Sequence, residues 1–128
     1  MTVVVDTSVL IDHLRGDDRA RAALTRAQEY GLAGSVLTQV EILAGVRPGE
    51  EDRTRALFGA IEWIEVDEDL AARAGSLAKR YLRSHPGVEV VDYVIAAMTD
   101  RLGAQLLTRN RKHFPMFDEL PDPYAPSG

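Results

Sequence analysis

Four polar residues of this sequence could take part in chemistry, because each follows a predicted strand or lies near the start of a predicted helix. They are Asp6, Glu41, Asp92 and Asn110. Carboxylates carried to one sheet edge by three distant segments would repel one another and raise each other's pKa unless a cation were present. Oxygen ligands without thiolate or imidazole suit a hard ion such as Mg²⁺ or Mn²⁺, which also binds substrate phosphate. These residues therefore predict a divalent-metal site.

Each acid also has an explanation that needs no ligand. Aspartate is a favoured N-cap residue of helices. Thr38 and Glu41 have the spacing of a capping box, in which Glu41 would return to the backbone of Thr38. For any one acid, capping is the commoner role. The coincidence of three acids at one predicted edge favours the metal site.

Short apolar strands alternate with the helices that would position these residues. Strands are predicted at 2–5, 32–37, 62–66 and 104–108, and helices at 7–15, 17–31, 38–47, 50–61, 67–84 and 91–102. Because the connections are too long for hairpins, the pattern predicts an α/β fold whose parallel sheet is covered by helices on both faces. Folds of this kind place their sites beyond the carboxyl ends of the strands.

Composition indicates one compact domain. The chain has 128 residues, of which 45% are apolar, and it contains no cysteine, which excludes a disulfide scaffold, a thiolate zinc site and cysteine catalysis. No apolar run approaches the roughly 20 residues of a membrane span, and the amino terminus lacks the basic start of a signal peptide. We expect a cytoplasmic protein with no membrane partner, formed by a single domain over residues 1–128 that ends in an extended tail at 118–128.

The formal net charge of −5, taken alone, argues against a nucleic-acid partner. The charge is unevenly distributed, however. Residues 101–117 contain no acid, and their basic side chains, Arg101, Arg109, Arg111 and Lys112, give a local charge of +4. The rest of the chain carries eleven basic and twenty acidic side chains. A basic segment is therefore embedded in an acidic chain.

Four segments together are specific to one family. They read VVVDTSVLID at residues 3–12, TQVEILAG at 38–45, VVDYVIAA at 90–97 and LLTRNRKHFP at 106–115. In this order, and over nearly the whole chain, the sequence resembles the PIN-domain ribonucleases, in particular the VapC toxins of bacterial toxin–antitoxin pairs. The resemblance implies a three-layer α/β/α PIN-like domain with a short central parallel sheet.

The resemblance also implies an activity, the metal-dependent hydrolysis of RNA phosphodiester bonds by an endoribonuclease that uses Mg²⁺ or Mn²⁺. In this hypothesis Asp6 and Asp92 bind metal directly, and Glu41 either binds metal or positions the attacking water. Asn110 stands where many relatives have a fourth acid, so the number of ions, one or two, is open. The residues implied to orient the acids by hydrogen bonds are Thr7, Ser8 and Thr108, although hydroxyls after Asp6 are also typical of helix caps.

The basic segment and the partners follow from the same resemblance. Arg109, Arg111 and Lys112 would hold the RNA backbone near the metal, with His113 adjacent, and the alternative is a solvated basic turn. VapC toxins form homodimers and are silenced by a VapB-type antitoxin whose carboxyl-terminal segment lies across the groove. The resemblance therefore implies an RNA substrate, a homodimer and a toxin–antitoxin hetero-oligomer.

Three other classes of protein are the alternatives to this interpretation. A phospho-receiver domain needs an acidic pair after the first strand and a lysine after the last, but Asp6 is followed by Thr7 and Ser8, and Lys112 lies beyond an Arg-Asn-Arg segment. A haloacid-dehalogenase-like phosphatase needs an aspartate at the position of Ser8. A catalytically silent PIN fold that acts as a binding module has Asn110 as its sole support.

Overall fold

The computed structural model describes residues 2–125, which contain one sheet of four parallel strands. The strands are β1 (Val3–Val5), β2 (Leu32–Ser35), β3 (Glu62–Ile64) and β4 (Gln105–Leu107). Their spatial order is β3-β2-β1-β4, so β1 lies inside the sheet between β2 and β4. The prediction of an α/β fold with a short parallel sheet is confirmed.

Within the same residues, six α-helices and one 3₁₀ turn connect and follow the strands. The helices are α1 (Thr7–Leu14), α2 (Asp18–Gln28), α3 (Val36–Ala44), α4 (Glu51–Gly59), α5 (Glu68–Tyr81) and α6 (Val90–Leu102), and the 3₁₀ turn is Arg111–His113. Their ends differ from the predicted ends by at most three residues. No helix in the described part of the chain is both long enough and apolar enough to span a membrane.

Strand β1 separates two apolar cores, because successive side chains of a strand point to opposite faces of the sheet. Val4 belongs to the core formed with α5 and α6, together with Leu70 and Ile95. Val3 and Val5 belong to the core formed with α1, α2 and α4. The sheet therefore lies between two helical layers, as predicted.

The start of α3 differs from the prediction. The apolar run 32–37 reads as a single strand, but the chain turns helical directly after Ser35, whose hydroxyl accepts the Leu37 N–H at 3.1 Å as an N-cap. Thr38 is therefore inside the helix, and the predicted capping box with Glu41 is wrong. The reason is that a short apolar run fits a buried strand and a buried helical turn equally well. The carboxylate of Glu41 is left to other partners.

Arg15 links the end of α1 to the end of α3 and to the start of α4. The Arg15 guanidinium, at the end of α1, donates to the two carboxylate oxygens of Glu50 at 2.9 and 2.8 Å and to the Gly45 carbonyl, at the end of α3, at 3.0 Å. Glu50 also accepts the Arg47 N–H at 2.7 Å. This N–H, followed by the charge of Arg15, holds the pKa of Glu50 below its usual range. The end of α1 is therefore held against the end of α3.

The segment from residue 118 lies against the domain. Leu120 packs against the core of α5 and α6, and Tyr124 packs against the core of α1, α2 and α4. Pro123 is buried. The predicted extended tail also covered residues 126–128, which lie outside the described residues.

Gly34 gives a test of the sheet packing. An ideal Cβ on Gly34 would lie 2.8 Å from Cζ3 of the Trp63 ring, which cannot move freely because its Nε1 donates to the Phe58 carbonyl at 2.9 Å. We predict that Gly34→Ala lowers the free energy of unfolding by about 1–3 kcal/mol through overpacking. Urea denaturation monitored by circular dichroism measures the change.

The matched control is Gly75→Ala in α5, where a Cβ meets nothing within 4 Å. Alanine is the better helix former, so this variant should gain about 1 kcal/mol. Equal effects of the two substitutions would contradict the packing argument.

Candidate active site

The site is built around Asp6, the residue directly after β1. Its backbone N–H donates to the Leu107 carbonyl at 2.9 Å, which continues the pairing of β1 with β4. Only 4% of Asp6 is exposed, and its Oδ2 accepts hydrogen bonds from the Thr108 hydroxyl at 2.7 Å and the Ser8 hydroxyl at 3.0 Å. Asp6 occupies the N-cap position of α1, but its side chain makes no capping hydrogen bond. Capping therefore does not account for this buried carboxylate.

The two hydroxyls that donate to Asp6 are themselves fixed by the loop after β4. Ser8 Oγ accepts the Arg109 N–H at 3.1 Å, and Thr108 Oγ1 accepts the Asn110 N–H at 3.0 Å. The start of α1 and the end of β4 are thus tied together through one carboxylate. Ser8 and Thr108 lie where orienting residues would be expected.

Glu41 reaches the site through a hydroxyl. Thr7 Oγ1, adjacent to Asp6, donates to Glu41 Oε1 at 2.7 Å and lies 3.1 Å from the hydroxyl of Thr38. Thr7 and Thr38 are both buried, whereas Glu41 is exposed. Glu41 is therefore held at the rim of the site, and its Oε2 accepts no hydrogen bond from the described part of the chain.

Asp92 lies in the first turn of α6, within electrostatic range of Asp6. Its Oδ2 accepts the Glu89 N–H at 2.9 Å, so this acid does take part in a capping box. Burial raises the pKa of Asp92 above the usual value, and the charge of Asp6 acts in the same direction, while the Glu89 N–H and His113 oppose both. Nδ1 of His113 is 3.3 Å from Asp92 Oδ2, a contact that the sequence indicated only through its proximity to Asn110.

The four predicted site residues do not all lie in contact with one another. Asp6 and Asp92 interact electrostatically, Glu41 is bound to Thr7, and Asn110 is half-buried, with its backbone anchored at Thr108. Among residues 2–125, no group of three or more acidic or histidine side chains is arranged so that it could hold a metal ion.

The donor set nevertheless fits a hard cation. Two buried carboxylates of like charge destabilise each other, and a divalent ion would remove that repulsion. Mg²⁺ is usually bound through one or two carboxylates, with waters and substrate phosphate as the remaining ligands. A pair formed by Asp6 and Asp92 meets that requirement.

The basic residues are divided between the two ends of the domain. Arg109 Nη1 contacts both oxygens of Asp12 at 3.1 Å, Arg111 contacts the Leu120 carbonyl at 3.4 Å, and Lys112 is exposed. Arg101, nine residues after Asp92 in α6, is roughly 13 Å along the helix from it. It pairs with acids at the start of α5, so it contributes no charge to the site.

Comparisons with known proteins agree with this architecture. The family model described as "PIN domain" matches residues 3–120. Ribonuclease VapC19 of Mycobacterium tuberculosis is 45% identical over 123 residues, which are 94% of this chain and 98% of that protein. Ribonuclease VapC10 of the same organism is 41% identical over 127 residues, 98% of this chain and 96% of that protein.

Among solved structures, a toxin–antitoxin complex from Klebsiella pneumoniae contains a chain that superposes with a TM-score of 0.80 at 28% identity. The match covers 96% of this chain and 98% of that chain. The similarity therefore extends over the whole domain and not over one motif alone.

The burial of the Asp92 carboxyl, together with the charge of Asp6, predicts a gain of stability when the Asp92 charge is removed. In metal-free protein at pH 7, we expect Asp92→Asn to raise the free energy of unfolding, because burial and the Asp6 charge penalise the ionised carboxyl. The amide oxygen can still accept the Glu89 N–H. Urea unfolding in EDTA at several pH values measures the difference.

The sign of the pH dependence follows from the raised pKa of Asp92 in the folded state. As pH falls through that pKa, the folded wild type takes up the proton before the unfolded chain does and gains relative stability. The difference in the free energy of unfolding between Asp92→Asn and the wild type should therefore decrease as the pH falls. It should reach zero below the ordinary aspartate pKa of about 3.9. Asp100→Asn, at the exposed far end of α6, is the matched control. A loss of stability in Asp92→Asn at pH 7 would contradict the prediction.

Proposed function

Because this chain belongs to the PIN-domain family, together with the VapC ribonucleases, we propose that it is a metal-dependent endoribonuclease that hydrolyses RNA phosphodiester bonds. The observation that carries the proposal is the buried pair of Asp6 and Asp92 at the carboxyl end of β1, in a chain 45% identical to a ribonuclease over nearly its full length. Buried like charges cost stability, and such arrangements are concentrated at functional sites.

Asp6 and Asp92 are the residues proposed to hold the ion, and each has one carboxylate oxygen free of hydrogen bonds from the described residues. When bound, Mg²⁺ or Mn²⁺ supplies positive charge to the phosphate and the departing oxygen and makes a nearby water more acidic. Ser8 and Thr108 hold Asp6 in a fixed orientation.

Glu41 is proposed to position the attacking water and to accept its proton. The Thr7 hydroxyl donates to Oε1 of Glu41, so Oε2 can contact the water. Asn110 can offer an amide oxygen but adds no negative charge. A second ion would therefore be held less tightly without substrate, and the proposal requires only one.

Arg109, Arg111 and Lys112 are the proposed contacts to the RNA backbone. They lie in or next to the loop that anchors Asp6, and all three are exposed. Contacts of this type position the substrate and carry little sequence information. The acidic remainder of the chain gives no general affinity for nucleic acid.

The proposed partner is a VapB-type antitoxin that neutralises the activity. The VapC relatives and the Klebsiella pneumoniae toxin–antitoxin complex support this assignment. We further propose a homodimer within a toxin–antitoxin hetero-oligomer. The proposed compartment is the cytoplasm, where an RNA substrate and an antitoxin are both produced.

The assignment of Asp6 predicts that Asp6→Asn abolishes cleavage. We expect Mg²⁺- or Mn²⁺-dependent cleavage of structured RNA by the wild type, none in EDTA, and a loss of at least about 1,000-fold in the variant, as for removal of an essential catalytic group. Gel analysis of cleaved RNA measures the rate. Asp100→Asn is the isosteric control and should retain wild-type activity.

A folded Asp6→Asn protein that still cleaves RNA would overturn the assignment. RNA binding by the wild type without cleavage, in either metal, would instead identify a silent PIN-fold binding module.

The assignment of the basic loop predicts a change in salt dependence. Each phosphate contact in single-stranded nucleic acid contributes about 0.7 to the slope of log affinity against log salt concentration. The double variant Arg109→Ala, Arg111→Ala should therefore bind RNA more weakly and reduce that slope by about 1.4. Fluorescence anisotropy over a salt series measures it.

The matched control is Arg26→Ala, Arg73→Ala, which removes two exposed arginines from α2 and α5. The slope of this control should equal that of the wild type. An unchanged slope in the Arg109, Arg111 variant would exclude the proposed phosphate contacts.

A further inference from the structure

A second cluster of polar side chains joins the carboxyl-terminal segment to the loop after β4. The Tyr124 hydroxyl donates to Asp12 Oδ2, and Arg109 Nη1 donates to both oxygens of Asp12 at 3.1 Å. The side chain of Asp12 is 14% exposed, whereas that of Arg109 is 54% exposed. The cluster therefore holds the guanidinium in place and still leaves it accessible.

The same arginine is connected to the acid pair through its backbone. The Arg109 N–H donates to Ser8 Oγ, and Ser8 donates to Asp6 Oδ2. Ser8 and Asp12 are four residues apart in α1 and so lie on one face, one turn from each other. Arg109 thus has its backbone beside Asp6 and its guanidinium about 6 Å farther along α1. That position suits a phosphate next to the one being cleaved.

Tyr124 is held independently of Arg109. Its ring lies under the Arg19 guanidinium, 4.9 Å from the ring centroid, and Arg19 pairs with Asp17 at 2.9 Å. Burial raises the pKa of the Tyr124 hydroxyl, and the hydrogen bond to Asp12 raises it further. The hydroxyl therefore remains a proton donor at neutral pH and keeps Asp12 in one orientation.

We propose that Tyr124 is a positioning residue for RNA binding, acting through Asp12 to fix the Arg109 guanidinium toward a phosphate that flanks the cleaved bond. The proposal rests on the ribonuclease function proposed above. Asp12 contacts Nη1, and among residues 2–125 the Nε and Nη2 groups of Arg109 donate to no acceptor, so they can donate to phosphate. Holding a flexible side chain in its binding orientation reduces the entropy lost when substrate binds.

The test is Tyr124→Phe, which removes the hydroxyl and keeps the ring on Arg19. In steady-state cleavage of RNA with Mg²⁺, we expect KM to rise about tenfold, the change typical of losing one hydrogen bond to a charged group, with kcat unchanged. The matched control is Tyr81→Phe, on a half-buried tyrosine that packs against the core of α5 and α6 on the other face of the sheet, and its KM should equal that of the wild type.

A double-mutant cycle separates positioning from general stability. If Tyr124 acts through Arg109, Tyr124→Phe has no further effect on KM in the Arg109→Ala protein. Should Tyr124→Phe fold poorly by circular dichroism, Asp12→Asn replaces it in the same cycle.

Two results would overturn the proposal: an unchanged KM in Tyr124→Phe, or an equal rise in KM with and without Arg109. If the wild type cleaves no RNA while Asp6→Asn is likewise inactive, the proposed function itself fails. If the wild type is active and the cycle is additive, only the role of Tyr124 fails.

Discussion

The burial of the Asp6 carboxylate, next to a second carboxylate, is the constraint on which the rest of the site depends. A buried charge must recover the hydrogen bonds that it loses from water. Here two hydroxyls supply them, one from the first turn of α1 and one from the end of β4. Each of those hydroxyls also accepts a backbone N–H from the loop after β4. The hydrogen bonds that satisfy one buried carboxylate therefore also fix the positions of two chain segments that are about a hundred residues apart.

The sheet makes this arrangement possible because β1 lies inside it. All three residues of β1 are buried, and their alternating side chains contribute to both cores. A residue that directly follows an interior strand cannot reach bulk solvent easily, so its polar group must be satisfied by its neighbours. The edge strand β3 is also followed directly by an acid, Glu65, but that residue is exposed, as expected beside an edge strand.

Much of the fold followed from the sequence, because short apolar strands and amphipathic helices have different periodicities. The pattern failed at Ser35, where an apolar run contains both the end of a strand and the start of a helix. Nothing in the types of residues 32–37 marks that change except one serine. The positions of Asp6 and Asp92 were predictable from strand and helix ends, since these are fixed by topology.

Side-chain partners were not predictable in the same way. The contact of His113 with Asp92 depends on a 3₁₀ turn whose three residues carry no periodic signal. The separation of Arg101 from the other basic residues depends on which end of α6 it occupies. Adding the charges of residues 101–117 ignores the distance between Arg101 and the site. The electrostatic field at the site depends on that distance.

The capping hydrogen bond of Asp92 has a consequence for how the site can be observed. One carboxylate both caps the start of α6, by accepting the Glu89 N–H, and interacts with the charge of Asp6. Any proton or cation that changes the charge on Asp92 therefore changes the strength of the first hydrogen bond of that helix. Protonation or cation binding at Asp92 is thermodynamically linked to opening of the Glu89 hydrogen bond. The exchange rate of the Glu89 amide hydrogen therefore reports the charge on the acid pair.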